Sequence, residues 1–143
     1  MPDQPSWRSE DTVRLAPILF DHGIDFLDVS SGANHPKQKL KLGPAYQAHF
    51  AEAVKRSLPP GHGLVVGTVG SITNGHIAQG VLDKDQADVV IVGRQFQKNP
   101  ATVWAFADDL GVQIHKAHQI RWGFEGRAQP VIKKDEASGR AKI

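Results

Sequence analysis

No cysteine occurs in the 143 residues. Disulfides, thiolate metal ligands and cysteine nucleophiles are excluded together, and the composition fits a reducing compartment. Charge of one sign is also scarce. Lys and Arg number 17 against 15 Asp and Glu, a formal net charge of +2, so no nucleic-acid footprint follows from net charge. No apolar run approaches the roughly 20 residues that a membrane span requires. Met1-Pro2-Asp3-Gln4-Pro5 lacks the charged-then-apolar order of a signal peptide, so the expected location is the cytoplasm. The histidines lack metal-site company. His62, His76, His115 and His118 have no carboxylate or thiolate partners at ligand spacing, and His35 beside Pro36 reads as a loop residue. No metal is expected. What remains is 40% hydrophobic and 22% charged, the balance of a soluble globular domain long enough for a sizeable core.

The chain punctuates itself into alternating segments. Residues 1–8 hold two prolines and no periodicity and read as a loose lead-in. Ser9 is the expected N-cap of a first helix, with Glu10 and Asp11 at its positive end, Pro17 inside it and Gly23 closing it beyond His22. A short apolar strand over 24–30 follows, then a loop over 31–36. Residues 44–57 read as a helix with Pro44 in its first turn and an apolar face of Tyr46, Phe50, Ala53, Val54 and Leu58. Pro59-Pro60-Gly61-His62-Gly63 breaks the chain. The pattern then recurs as strand 64–69, loop 70–73 and helix 74–82, with Ile77, Val81 and Leu82 inward. Strand 87–92 and a helix from Asn99-Pro100 to about Leu110, with Val103, Phe106 and Leu110 inward, complete it. From Glu125 on the sequence is polar and reads as a solvated, disordered tail. Strands separated by helices imply parallel pairing with right-handed crossovers, an α/β fold.

Three strands end in small-residue turns: Ser30-Ser31-Gly32, Gly67-Thr68-Val69-Gly70 and Gly93-Arg94. Ligands of α/β folds bind at the carboxyl ends of strands, and in β/α barrels the last two strand ends often hold phosphate. Phosphate needs exposed backbone N–H groups, glycine permits close approach, and an arginine adds a charge-assisted grip. Gly70 has a helix start nearby, which adds favourable partial charge. The plainer readings are a turn glycine at 67, backbone-satisfying serines at 30 and 31, and a surface salt bridge for Arg94.

Phe26-Leu27-Asp28-Val29-Ser30-Ser31-Gly32, Gly67-Thr68-Val69-Gly70-Ser71-Ile72-Thr73 and Val90-Ile91-Val92-Gly93-Arg94-Gln95-Phe96 resemble the last three strand ends of the old yellow enzyme family. Asn99-Pro100 and Gln119-Ile120-Arg121-Trp122-Gly123-Phe124 are similar to its thermophilic-like branch. The resemblance implies the C-terminal part of a (β/α)8 TIM barrel over residues 9–124, with about three parallel strands. It implies FMN as cofactor and NADPH or NADH as hydride donor. It places the FMN phosphate at Gly70, Gly93 and Arg94, the flavin side at Ser31 and Gly32, and an inter-subunit contact at Arg121.

Several family parts are not matched. They include the first part of the barrel, the substrate-binding His-His or His-Asn pair, and the proton-donating tyrosine. Tyr46 is the sole tyrosine and is expected on a helix away from the strand ends, so no catalytic residue is assigned. The expectation is a C-terminal ene-reductase fragment that anchors FMN but is inactive alone, working as a homo-oligomer or with a complementing chain. The alternative is a non-catalytic phosphate- or nucleotide-binding half-barrel.

Overall fold

In the computed structural model the described residues are 6–32 and 35–126. They divide into two compact units, Met1–Gln113 and Ile114–Ile143. The first contains α1 (Ser9–Asp21), β1 (Phe26–Val29), α2 (Ala48–Ser57), β2 (Val65–Val69), α3 (Gly75–Asp83), β3 (Val89–Ile91), α4 (Arg94–Lys98) and α5 (Thr102–Asp109). The second contains α6 (Trp122–Glu125). The polar tail expected from 125 lies outside the described residues beyond 126, and so does the lead-in over residues 1–5.

All three strands are parallel, in the order β1-β2-β3. Phe26 pairs with Val65 and Val29 with Thr68. Gly67 pairs with Val89 and Val69 with Ile91. Spatial order equals chain order, so the winding never reverses. The two faces of the sheet differ sharply. Val29, Val66 and Thr68 on one face are buried with Ala16 of α1, Ala48, Ala51 and Val54 of α2, and Val81 of α3. Phe26, Val65 and Val89 on the other are 45%, 36% and 38% exposed. Among the described residues of the first unit no helix packs over that second face. On it, Phe26 and Ile91 lean over Gly67, where a β-carbon would come within 2.8 Å of the Phe26 ring.

Helix ends explain most differences from the sequence expectation. The N-cap of α1 is Arg8, not Ser9: its backbone N–H donates to Asp11 Oδ2 at 2.9 Å, and its carbonyl accepts from Asp11 N at 3.1 Å. Asp11 acts as the returning partner of a capping arrangement. The helix runs through Pro17, whose ring nitrogen leaves the Val13 carbonyl without its usual partner. At the other end Gly23 takes φ +81, its N–H meets the Phe20 carbonyl, and Ile24 N meets the Leu19 carbonyl. This is a Schellman closure. Gly111 closes α5 in the same way through Asp108 and Ala107. In α3 the left-handed position falls on Asp85, φ +54, with Gln86 N reaching the Val81 carbonyl at 3.1 Å.

The α2 helix starts at Ala48 rather than 44, and its buried residues are Ala48, Ala51 and Val54, with Leu58 beyond. Ala53, expected inward, is exposed. Small alanines let the helix lie close to the sheet, while the larger Phe50 sits at its margin. In α3 Ala78 and Val81 are buried and Leu82 is exposed, and in α5 Thr102 and Ala107 are buried while Val103 is exposed. Here α5 packs against α3, with Phe106, Asp109 and Leu110 close on Gly75.

The amino-terminal rim is locked by charge. Lys55, its side chain 11% exposed, bonds Asp85 and reaches Asp88 at 2.7 Å. Asp88 Oδ2 accepts from Val66 N at 2.8 Å, and Asp88 N donates to the Val66 carbonyl at 2.8 Å. Asp85 therefore accepts backbone strain of order 1 kcal/mol at its left-handed position, where it holds the lysine.

Candidate cofactor-binding site

Parallel strands in chain order deliver their carboxyl ends to one rim, so the turns after β1, β2 and β3 are neighbours. The Val69–Ile91 pairing brings the Gly70 turn beside the Gly93 turn. Sequence separates these glycines by two dozen residues; the sheet makes them adjacent.

A buried glutamine organises the β1–β2 part of the rim. Gln47, 3% exposed, accepts the Ser31 N–H at its Oε1 and donates from Nε2 to the Val69 carbonyl at 3.0 Å. One side chain thus bridges two strand ends. Gly70 follows with φ +129 and Ser71 with φ +52. A β-carbon on Gly70 would lie 2.9 Å from the Tyr46 ring and 3.0 Å from Gln47 Nε2. Glycine is required there for conformation and for space.

Tyr46 is therefore not on a helix remote from the strand ends. It precedes α2, and its ring packs on the β2 terminus. Sequence periodicity began the helix four residues too early and missed this.

Gly93 differs from Gly70. Its φ is −103, and no atom lies within 4 Å of a β-carbon placed on it. Neither backbone conformation nor packing within the described residues calls for glycine. Arg94 beside it is exposed, and no ion pair among the described residues engages it. The helix expected from 74 starts at Gly75, five residues beyond Gly70, and its first N–H groups are already served. Asn74 Oδ1 accepts from Ile77 N at 2.9 Å and Asp109 Oδ2 from Gly75 N at 2.8 Å.

Ser31 and Gly32 lie at the β1 end. Gly32 has φ +114, and Leu40 packs so closely on it that a β-carbon would meet Leu40 Cδ2 at 2.9 Å. This contact seats the 35–41 segment along a cavity of about 700 Å3 lined by Ser30, Ser31 and Gly32. Arg121 is the N-cap residue of α6 in the second unit, half-buried. In that unit Lys116 Nζ stands 4.9 Å from the Phe124 ring centre.

Sequence reasoning missed Gln47, Tyr46 as a strand-end residue, and the cavity at β1. A glutamine inside an apolar helical stripe was the available signal for the first. The alternation Lys37-Gln38-Lys39-Leu40-Lys41-Leu42 was the signal for the third.

No protein-family model matches the chain. Among curated proteins it is 48% identical over 131 residues to an NADH:flavin oxidoreductase of Gibberella zeae, covering 90% of this chain and 31% of that protein. It is 37% identical over 115 residues to an NADPH dehydrogenase of Geobacillus thermodenitrificans, covering 80% of this chain and 32% of that protein. An NADPH dehydrogenase of Bacillus pumilus is 35% identical over 109 residues. The chain spans about a third of the length of these relatives. It is thus homologous to flavin- and nicotinamide-dependent oxidoreductases, in agreement with the resemblance to a C-terminal portion of an old yellow enzyme. Among the described residues no helix is long and apolar enough to cross a membrane.

Proposed function

We propose that this chain is the phosphate-anchoring portion of an FMN-dependent NAD(P)H dehydrogenase of the ene-reductase type. The Gly70 turn, Gly93 and Arg94 hold the FMN phosphate, and Ser31 and Gly32 line the flavin side. The observation that carries this is the pairing of the two strand ends. Gly93, needed by nothing inside the described fold, stands beside the Gly70 turn, next to an arginine that no ion pair among the described residues engages. A phosphate approached by backbone on one side and by guanidinium on the other uses both features.

The winding supports membership of a (β/α)8 barrel. Strands in chain order with helices on one face are the barrel's pattern, and the bare face carrying Phe26, Val65 and Val89 fits a barrel interior. FMN, when bound, supplies hydride transfer between the nicotinamide and an activated alkene. The residues of this chain bind and orient. Gln47 fixes the two strand ends, Gly70 keeps the approach open, and Arg94 neutralises charge. No residue here is assigned as the proton donor, so the chain alone anchors cofactor without turnover.

Titration of the full chain with FMN, FAD and inorganic phosphate tests this. FMN is expected to bind more tightly than phosphate, to weaken on Arg94→Ala, and to give no NADPH oxidation. Equal affinity for FMN and inorganic phosphate would favour a non-catalytic phosphate-binding half-barrel. Unchanged FMN affinity in Arg94→Ala would remove the proposed anchor.

A further inference from the structure

The cavity at the carboxyl end of β1 has a lining unlike the rest of the surface. Arg8, Lys37, Lys39 and Lys41 all border it, and among the described residues no carboxylate does. Among the described residues none of these four cations is in an ion pair, although Asp11 and Glu10 lie nearby in sequence. The three lysines stand at alternate positions of one segment that leaves the His35–Gln38 turn, and all three border the cavity. Leu40 between them is seated on Gly32, which fixes that segment against the strand end. An aromatic wall completes the cavity. Trp7 is 67% exposed yet held in place by a 2.8 Å hydrogen bond from its Nε1 to Thr12 Oγ1, and Tyr46 stands on the lining as well. A volume of about 700 Å3 is within the range of small-molecule sites.

We propose that this cavity binds the 2′-phosphorylated adenosine end of NADPH, with the lysine segment and Arg8 on its phosphates and Trp7 stacked on adenine. Charge favours this ligand. A pyrophosphate carries about two negative charges and a phosphate monoester close to two more, which matches four cations. An exposed, hydrogen-bonded indole offers a flat face on which a base can stack. The NADPH identity rests on the oxidoreductase reading above, while the anionic, aromatic character of the site rests on the cavity alone. Gly93 and Arg94 do not line it, which separates it from the FMN phosphate position, while Ser31 and Gly32 border both this cavity and the proposed flavin side.

The test is calorimetric titration of the full chain with 2′,5′-ADP and with 5′-AMP at low salt, read also by Trp7 fluorescence against Trp7→Phe. 2′,5′-ADP is expected to bind about tenfold or more tightly than 5′-AMP. Lys37→Ala combined with Lys39→Ala should remove most of that preference and leave FMN affinity unchanged. Arg94→Ala should do the reverse. Equal affinity for the two nucleotides, or a preference untouched by the lysine variants, overturns the proposal. If FMN fails to bind while the 2′,5′-ADP preference persists, the cavity assignment stands and the FMN reading falls.

Discussion

Gly70 and Gln47 are in direct contact: a β-carbon added to Gly70 would stand 3.0 Å from Gln47 Nε2 and 3.1 Å from its Cγ. The strand-end turn and the glutamine that ties it down are therefore one unit. Gly70 φ is +129, a region that L side chains rarely adopt.

Gly70→Ala and Gly93→Ala should separate structural from ligand-facing glycine. The first combines backbone strain with overlap and is expected to destabilise by about 2–3 kcal/mol. The second meets open space at an ordinary φ and should shift stability by less than about 0.5 kcal/mol. If the phosphate reading holds, Gly93→Ala still weakens FMN binding. Urea unfolding midpoints together with FMN titrations read both effects.

Gln47→Ala removes the acceptor of Ser31 N–H and the donor to the Val69 carbonyl in a part-buried place. The expected cost is about 2–4 kcal/mol, from two stranded backbone groups. Gln47→Glu keeps an acceptor for Ser31 but faces the Val69 carbonyl with an oxygen, so it should also destabilise. Amide exchange at Ser31 should accelerate in both variants. Unchanged exchange would remove Gln47 as the bridge.

The Lys55 cluster predicts a pH dependence with two limbs. Burial works to raise Asp88, but the hydrogen bond from Lys55, the Val66 N–H and the charges of Lys55 and His62 outweigh it and hold Asp88 below its ordinary value. Its stabilising contribution is present above the unfolded carboxylate value, about 3.9, and fades as pH falls through the lower folded value. Burial likewise works to lower Lys55, and its bonds to Asp85 and Asp88 outweigh that and raise it. Its contribution is full below the unfolded lysine value, about 10.4, and is lost as pH rises through the higher folded value. Asp88→Asn should flatten the acid limb of a stability–pH curve while leaving the Val66 bond an acceptor. An acid limb identical to that of the unmodified chain would count against the cluster.

The bare sheet face should make the isolated chain self-associate or bind an apolar dye. Val65→Lys with Val89→Lys places charge in the middle of it, with little cost to a face that is already over a third exposed. Sedimentation should show less association in that variant. The same mass distribution in both proteins would exclude this face as the sticky surface.

Much of the fold was legible because its signals are local. Strand 64–69 became Val65–Val69 and helix 74–82 became Gly75–Asp83, since apolar runs and glycine breaks mark them within a few residues. Gly23 announced its helix end for the same reason. What stayed hidden depends on contacts across the chain. Ala51 is buried and Ala53 is exposed because the sheet, not the local pattern, decides which alanine faces it. Gln47 meets Ser31 and Val69 across long stretches of sequence, and no periodicity predicts that. The cavity needed Trp7, Lys39 and Tyr46 brought together from three segments, one of which read as a featureless lead-in.

The helix closures described above have a consequence for how the molecule can vary. Helices α1, α3 and α5 all end in the same pair of backbone bonds, two of them before a return to the sheet. Those bonds involve only main-chain atoms and one left-handed residue, so these three helix ends depend little on side-chain identity, unlike the Lys55–Asp85–Asp88 contact beside them. The opposite rim has no such standard part; the turns after β1 and β2 are held there by the side chains of Leu40 and Gln47. Substitutions can therefore reshape what the carboxyl-terminal rim recognises, one loop at a time, while the returns beneath keep the strands in register.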